Sequence, residues 1–166
     1  MSEVSHLEGQ YLTFQLNQQT YGMPIHAVKE IIQICEITQV PNTPRCVQGV
    51  INLRGKVIPV VNLRTRFDLD VQDFDKETCI IVIEGESGNI GAIVDNVCSV
   101  IHFAAEAIEV VDNMSNDDAL SWILGMAKND DHVAILIDIV GALAKANLEQ
   151  VTKLAEALPQ SDEQAA

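Results

Sequence analysis

A chain of 166 residues, 48% of them hydrophobic, is long enough for one core or two small fused ones and too apolar to be intrinsically disordered. Its 24 acidic and 10 basic residues give a net charge of −14, which argues against nucleic acid, whose phosphates supply most of that kind of affinity, and against unaided binding to an anionic membrane. No apolar run approaches the ~20 residues of a membrane span, and MSEVSHLEGQ has neither a basic nor an apolar leader region, so a soluble cytoplasmic protein is expected.

In chain order, short segments with alternating or continuous β-branched character fall at 11–16, 20–24, 30–36, 49–53 and 57–63, then at 78–84, 90–94, 97–102, 123–127 and 133–137. Ten short strands predict an all-β barrel or sandwich. The stretch between His102 and Ser121, carrying Glu106, Glu109, Asp112, Asp117 and Asp118, reads as an exposed acidic insertion. The strong helical pattern is terminal, over 139–158, rich in Ala, Leu, Glu and Lys and ended by Pro159 and a polar SDEQAA tail. Cys35, Cys46, Cys79 and Cys98 form no CxxC pair, so reduced core thiols are expected.

The chain repeats itself. A shift of 69 positions lays YLTFQLNQQTYGMPIHAVKEII over IIVIEGESGNIGAIVDNVCSVI, with Gly22 on Gly91 and Val28 on Val97. A shift of 76 lays GVINLRGKVIPVVNL over GMAKNDDHVAILIDI, with Gly49 on Gly125 and Val57 on Val133. The simplest account is two copies of a five-stranded unit, about 10–70 and 78–140, interleaved in one domain over 10–145. The extra positions fall in the acidic insertion. Units of that size bury too little surface alone, so the two should share apolar area across a seam.

Between Ile37 and Phe67 there is no acid, yet Arg45, Arg54, Lys56, Arg64 and Arg66 lie there, which suggests an electropositive island for an acidic partner. The turn Arg54-Gly55-Lys56 corresponds to Asp130-Asp131-His132 in the second copy. The fold therefore needs the turn but not its positive charge.

Convergent chemistry is hard to find. His6, His26, His102 and His132 are scattered, and HExxH, GxSxG, GxxxxGK[ST] and GxGxxG patterns are missing. Glu84-Gly85-Glu86-Ser87-Gly88 reads as a hairpin turn. Asp95 and Asp138 follow strands and read as turn caps rather than general bases. Trp122, Phe67 and Phe103 are isolated along the chain, which leaves no base-stacking platform. A binding module is favoured over an enzyme.

The motifs YG-P-I--V-EI, P--P--V-GVINLRG-VIPV--LR--F and G--VD-V--V, in that order, closely resemble the CheW-like family of bacterial chemotaxis coupling proteins over roughly residues 10–145. The resemblance implies two pseudo-symmetric five-stranded SH3-like barrels around a shared core, no catalysis, and no cofactor or metal. It implies as partners the regulatory domain of the histidine kinase CheA and the helical cytoplasmic tip of methyl-accepting chemotaxis receptors. Contacts between copies would form within receptor arrays at the inner membrane. Position by position, Glu30 in VKEI and Arg54 in NLRG match charged functional positions, and Val28, Gly49, Asn52 and Gly55 complete those motifs. Val97 and Val100 match receptor-groove positions, with Ile80 a further candidate. Arg54 either meets a partner or holds its turn through an internal ion pair with Glu30. Asn62 stands where the family often has Asp, and keeps the capacity to cap. Other readings are the CheW-like half of a receiver-fused coupling protein, an adaptor of a paralogous pathway, or a small-molecule binder or enzyme on a tandem barrel. SDEQAA reads as a native end, which disfavours the receiver fusion.

Overall fold

The computed structural model describes residues 7–41, 43–85, 88–110, 122–129 and 132–143. In order these form β1 (Gly9–Leu16), β2 (Gln19–Pro24), β3 (Val28–Gln33), β4 (Val47–Leu53), β5 (Lys56–Asn62) and α1 (Leu63–Arg66). Then come β6 (Cys79–Gly85), β7 (Gly88–Val94), β8 (Asn96–Phe103), β9 (Ile108–Glu109), β10 (Ile123–Asn129), β11 (His132–Ile137) and α2 (Ile139–Leu143). The described residues are all-β, with α1 after β5 and α2 after β11.

The described strands form two sheets. Sheet I has the order β3-β6-β7-β5-β4, and sheet II the order β8-β1-β2-β11-β10-β9. The sheets do not coincide with the halves 10–70 and 78–140. Each copy sends its leading hairpin into the other copy's sheet: β1–β2 joins β8 and β11, while β6–β7 joins β3 and β5. Both crossings between the sheets run through short joints. Between β7 and β8 there is one residue, Asp95, and between β2 and β3 one three-residue 3-10 turn, Ile25–Ala27. A one-residue joint is shorter than the two-residue loop of the tightest common hairpins, so β8 runs on into the second sheet instead of folding back beside β7.

The registers follow the repeat. Gly22 pairs with Leu136 in the parallel β2–β11 ladder, and its counterpart Gly91 pairs with Val60 in the parallel β7–β5 ladder. Leu12 faces Val100 as Ile81 faces Ile31.

Three apolar clusters result. Ile51, Ile58, Val60, Ile80, Val82 and Ile93 fill the interior of sheet I; Tyr11, Phe103, Ile108, Ala127, Ala134 and Leu136 fill that of sheet II. The largest cluster lies between the sheets and takes Leu12, Phe14, Leu16, Tyr21 and Met23 from one hairpin, Ile81, Ile83, Ile90, Ala92 and Val94 from the other. Alternate residues of each hairpin strand therefore enter different cores. This is why YLTF and IIVI read as continuous apolar runs: both faces are dry.

The helix caps repeat as well. Asn62 Oδ1 accepts from the Arg64 amide at 3.0 Å, and its counterpart Asp138 Oδ1 accepts from the Gly141 amide at 3.1 Å. Asn62 thus caps α1 as an Asp would. Arg66 Nε donates to the Ala142 carbonyl at 2.6 Å, tying α1 to α2.

Several expectations are corrected. Part of the acidic insertion is structural: β9 pairs Glu109 with Met126, the counterpart of the Thr38–Val50 bridge in the first copy, and Ile108 is buried. Aromatics separated in sequence meet in space, Phe67 stacking on Trp122 with centroids 4.2 Å apart and also meeting Tyr21, which stacks on Phe14. Cys35 and Cys98 are exposed rather than core, and Cys46 and Cys79 are half-buried. Of the terminal helix, Ile139–Leu143 is described, and the remainder of 139–158 lies outside the described residues.

Gly49 has φ +151°, and a Cβ there would overlap the Thr38 carbonyl oxygen. At its counterpart Gly125 a Cβ would lie 2.8 Å from the Glu109 carbonyl oxygen. Each glycine lets its strand pass beneath the bridge that flanks it. We expect Gly49→Ala and Gly125→Ala each to destabilise the protein by about 1–3 kcal/mol, read as a lowered urea midpoint. Unchanged midpoints would show that the bridges can move aside.

Candidate partner-binding site

The β4–β5 turn has φ +52° at Arg54 and +86° at Gly55, the signature of a type I′ hairpin turn. Asn52 Oδ1 accepts from the Gly55 amide at 3.0 Å and locks the turn. From this tip Arg54 Nη2 donates to the Glu30 carboxylate on β3. Because β3 and β4 are opposite edges of sheet I, this ion pair spans the curl of the sheet. Its contribution to folding is small. The Arg54 side chain is 70% exposed, and exposed pairs contribute about 0–1 kcal/mol, while a left-handed non-glycine residue costs about 1–2 kcal/mol. The two nearly cancel, so stability alone does not call for arginine here. The pair instead orients a guanidinium whose other nitrogens have no partner among the described residues.

On sheet II the comparable edge strand is β8. Its ladder to β1 is interrupted by a bulge at Thr13, whose buried hydroxyl donates to the Ser99 carbonyl at 2.8 Å and accepts from the Ser99 amide at 3.1 Å. Around this bulge Val97 packs against the shared core, while Val100 is 47% exposed. The first copy repeats the arrangement on β3, with Val28 packed against the same core and Ile31 42% exposed. Each edge strand thus sets one anchored and one open apolar residue beside the seam.

A third cluster joins the two sheets. Arg64 is buried, and its Nε and Nη2 donate to Asp95 Oδ1 and Oδ2 at 2.8 and 2.5 Å. Burial pushes the Asp95 carboxyl up, but the Arg64 hydrogen bond, the Asn17 amide and the Arg64 charge outweigh it and hold the group below its usual range. The pair forms part of the wall of a polar cavity of about 350 Å³ that also borders Asp73, Phe74 and Asp75. Asp95 is therefore the half-buried partner of a buried arginine and not merely a turn cap. The basic island shrinks accordingly: Arg64 is neutralised inside, Arg66 is tied to α2, and Arg45, Arg54 and Lys56 remain on the surface.

A family model described as the CheW-like domain matches residues 10–147. The chain belongs to the CheW-like family. It is 30% identical over 161 residues to the chemotaxis protein CheW of Klebsiella aerogenes, covering 94% of this chain and 97% of that one. It is 32% identical over 132 residues to the CheW of Thermotoga maritima, covering 80% and 85%. The crystal structure of the scaffolding protein TtCheW from Thermoanaerobacter tengcongensis superposes with a TM-score of 0.71 at 35% identity, covering 78% of this chain and 88% of that one.

Against the CheW-like motifs, Glu30, Asn52, Arg54 and Gly55 come together at one end of sheet I, with Arg54, Asn52 and Gly55 exposed. Val28 and Val97 flank the shared core, and Val100 stands open on β8. Two candidates are buried within the chain. Ile80 is 0% exposed, because its face of β6 looks into the interior of sheet I, so no partner can touch it in this fold. Gly49 is buried, and at it and its counterpart Gly125 a Cβ would meet a neighbouring carbonyl oxygen, which accounts for glycine at both positions. The motifs contain Arg64, in LR--F, and Asp95, in G--VD-V--V, but not their pairing, which joins residues 31 positions apart and lies beyond the reach of local spacing.

We expect Arg54→Gly to leave stability within about 1 kcal/mol of wild type, since glycine relieves the left-handed strain as the exposed pair is lost. A larger drop in thermal melting would make the pair a fold requirement. Asp95 has a folded pKa depressed below its unfolded value of about 3.9, so its contribution is full above that pH and is lost as pH falls through the folded value. Acid unfolding of Asp95→Asn should therefore be shallower below about pH 4 than that of wild type. Superimposable acid limbs would contradict the pairing.

Proposed function

We propose that this CheW-like chain is a chemotaxis coupling adaptor that catalyses nothing itself. It holds the regulatory domain of the histidine kinase CheA at the Glu30–Arg54 end of sheet I and the helical tip of a methyl-accepting receptor along β8 at the seam. The observation that carries this reading is the pairing of an oriented, exposed guanidinium on one sheet with an open apolar edge strand on the other. An acidic or polar surface is met by the arginine fork, and the apolar side of an amphipathic helix by Val97 and Val100. Two such surfaces on one rigid body suffice to keep two partners in register.

Copies arrayed beneath a membrane would make modest individual affinities effective through multivalency. The working location is the cytoplasm, at receptor arrays of the inner membrane, with contacts between copies. Among the described residues no helix is long and apolar enough to cross a membrane.

Immobilised wild-type protein should capture purified CheA regulatory domain and receptor tip independently. Arg54→Ala should weaken the first about tenfold, the scale of an interface residue worth more than about 1 kcal/mol, and Val100→Asp should weaken the second. Capture of neither partner by the wild type would sink the adaptor reading.

A further inference from the structure

Asp95 is the one residue between β7 of sheet I and β8 of sheet II, so the chain changes sheets at this position. Both sheets hold it there. From the sheet I side Arg64, in the first turn of α1 directly after β5, makes the two-point contact with its carboxylate. From the sheet II side the amide of Asn17, at the tip of the β1–β2 turn, donates to Oδ2 at 2.8 Å, and the Asp95 amide donates to the Gln15 carbonyl at 3.0 Å. The same guanidinium donates through Nη1 to the Asp70 carbonyl at 2.8 Å and through Nη2 to Gln72 Oε1 at 3.1 Å, strapping down the loop that links the two copies.

The repeat supplies an internal control. At a shift of 69 Asp95 falls on His26, and at a shift of 76 Val140 falls on Arg64. The other change of sheet, from β2 to β3, runs through Ile25–Ala27 with His26 exposed and Val140 packed against the shared core, and no ion pair forms there among the described residues. Among the described residues, the chain thus changes sheets there without an ion-pair clamp. The clamp exists on the side that leads into β8, two residues before Val97 and five before Val100.

We propose that Arg64 and Asp95 are positioning residues for coupling, fixing the angle at which β8 stands to sheet I and hence the register between the receptor-facing and kinase-facing surfaces. The proposal rests on the two-surface reading above. A forked guanidinium–carboxylate contact fixes orientation as well as distance, which a lysine, a point charge on a flexible stem, does not. Arg64 is 5% exposed and the Asp95 side chain 30%, so solvent competes for the contact from the carboxylate side alone.

The test uses the full chain with Asp95→Asn, which keeps an acceptor for the Asn17 amide, and Arg64→Lys, which keeps the charge and loses the fork. Affinities for receptor tip and for CheA regulatory domain are measured alongside hydrogen exchange. Both variants should lose about fivefold to tenfold in receptor-tip affinity, keep CheA-domain affinity within about twofold, and exchange β8 amides faster while β3 stays protected. A purely structural pair would lower both affinities together. Equal losses for the two partners, unchanged receptor binding in both variants, or failure of both variants to fold would each overturn the proposal. Wild-type protein that bound neither partner would instead overturn the adaptor reading beneath it.

Discussion

The shared core between the sheets is the constraint on which the molecule rests. The hairpins β1–β2 and β6–β7 each lie in a sheet made mostly by the other copy, with one face turned to that sheet's interior and the other to the common cluster around Phe14, Leu16, Ile81 and Ile83. Neither copy can withdraw its hairpin without opening two cores at once. The sheets are therefore locked to one another by chain crossing as well as by buried area, and a surface on one has a defined relation to a surface on the other.

Pseudo-symmetry separates what folding demands from what it does not. Where both copies solve a problem alike, the residue serves the fold: Gly49 and Gly125 under their bridges, and Asn62 and Asp138 as caps. Where the copies differ, folding has left a choice. Arg54 occupies a left-handed position that glycine would fill with less strain, and Arg64–Asp95 binds one sheet-to-sheet joint while the other manages with His26 and Val140. Both departures bear on presenting or orienting a surface, as a coupling adaptor requires.

Most strands were legible from β-branched periodicity, and the repeat was legible because its glycines and valines recur at fixed shifts. The exchange of hairpins was not, since periodicity says which residues are buried but not which strand lies beside them; that depends on the one-residue joint at Asp95. Ile80 illustrates the same gap: in IIVI each residue is apolar, and the side facing a core cannot be distinguished from the side facing a groove until the sheet is placed. The five basic residues between Ile37 and Phe67 read as one island because sequence does not tell that Asp95, 31 positions beyond Arg64, neutralises one of them from within. Arg54, Glu30 and their pairing were recognisable through family motifs, but that the contact spans the two edges of sheet I needed the curl of the sheet.

Simultaneous occupancy of the two surfaces is the central claim. Sedimentation velocity of the full chain with saturating CheA regulatory domain, titrated with receptor tip, tests it directly. The account predicts a single faster species containing all three components, with the kinase domain retained as receptor is added. Displacement of the kinase domain by the receptor tip would contradict it, because the partners would then share one surface and the chain could not hold both.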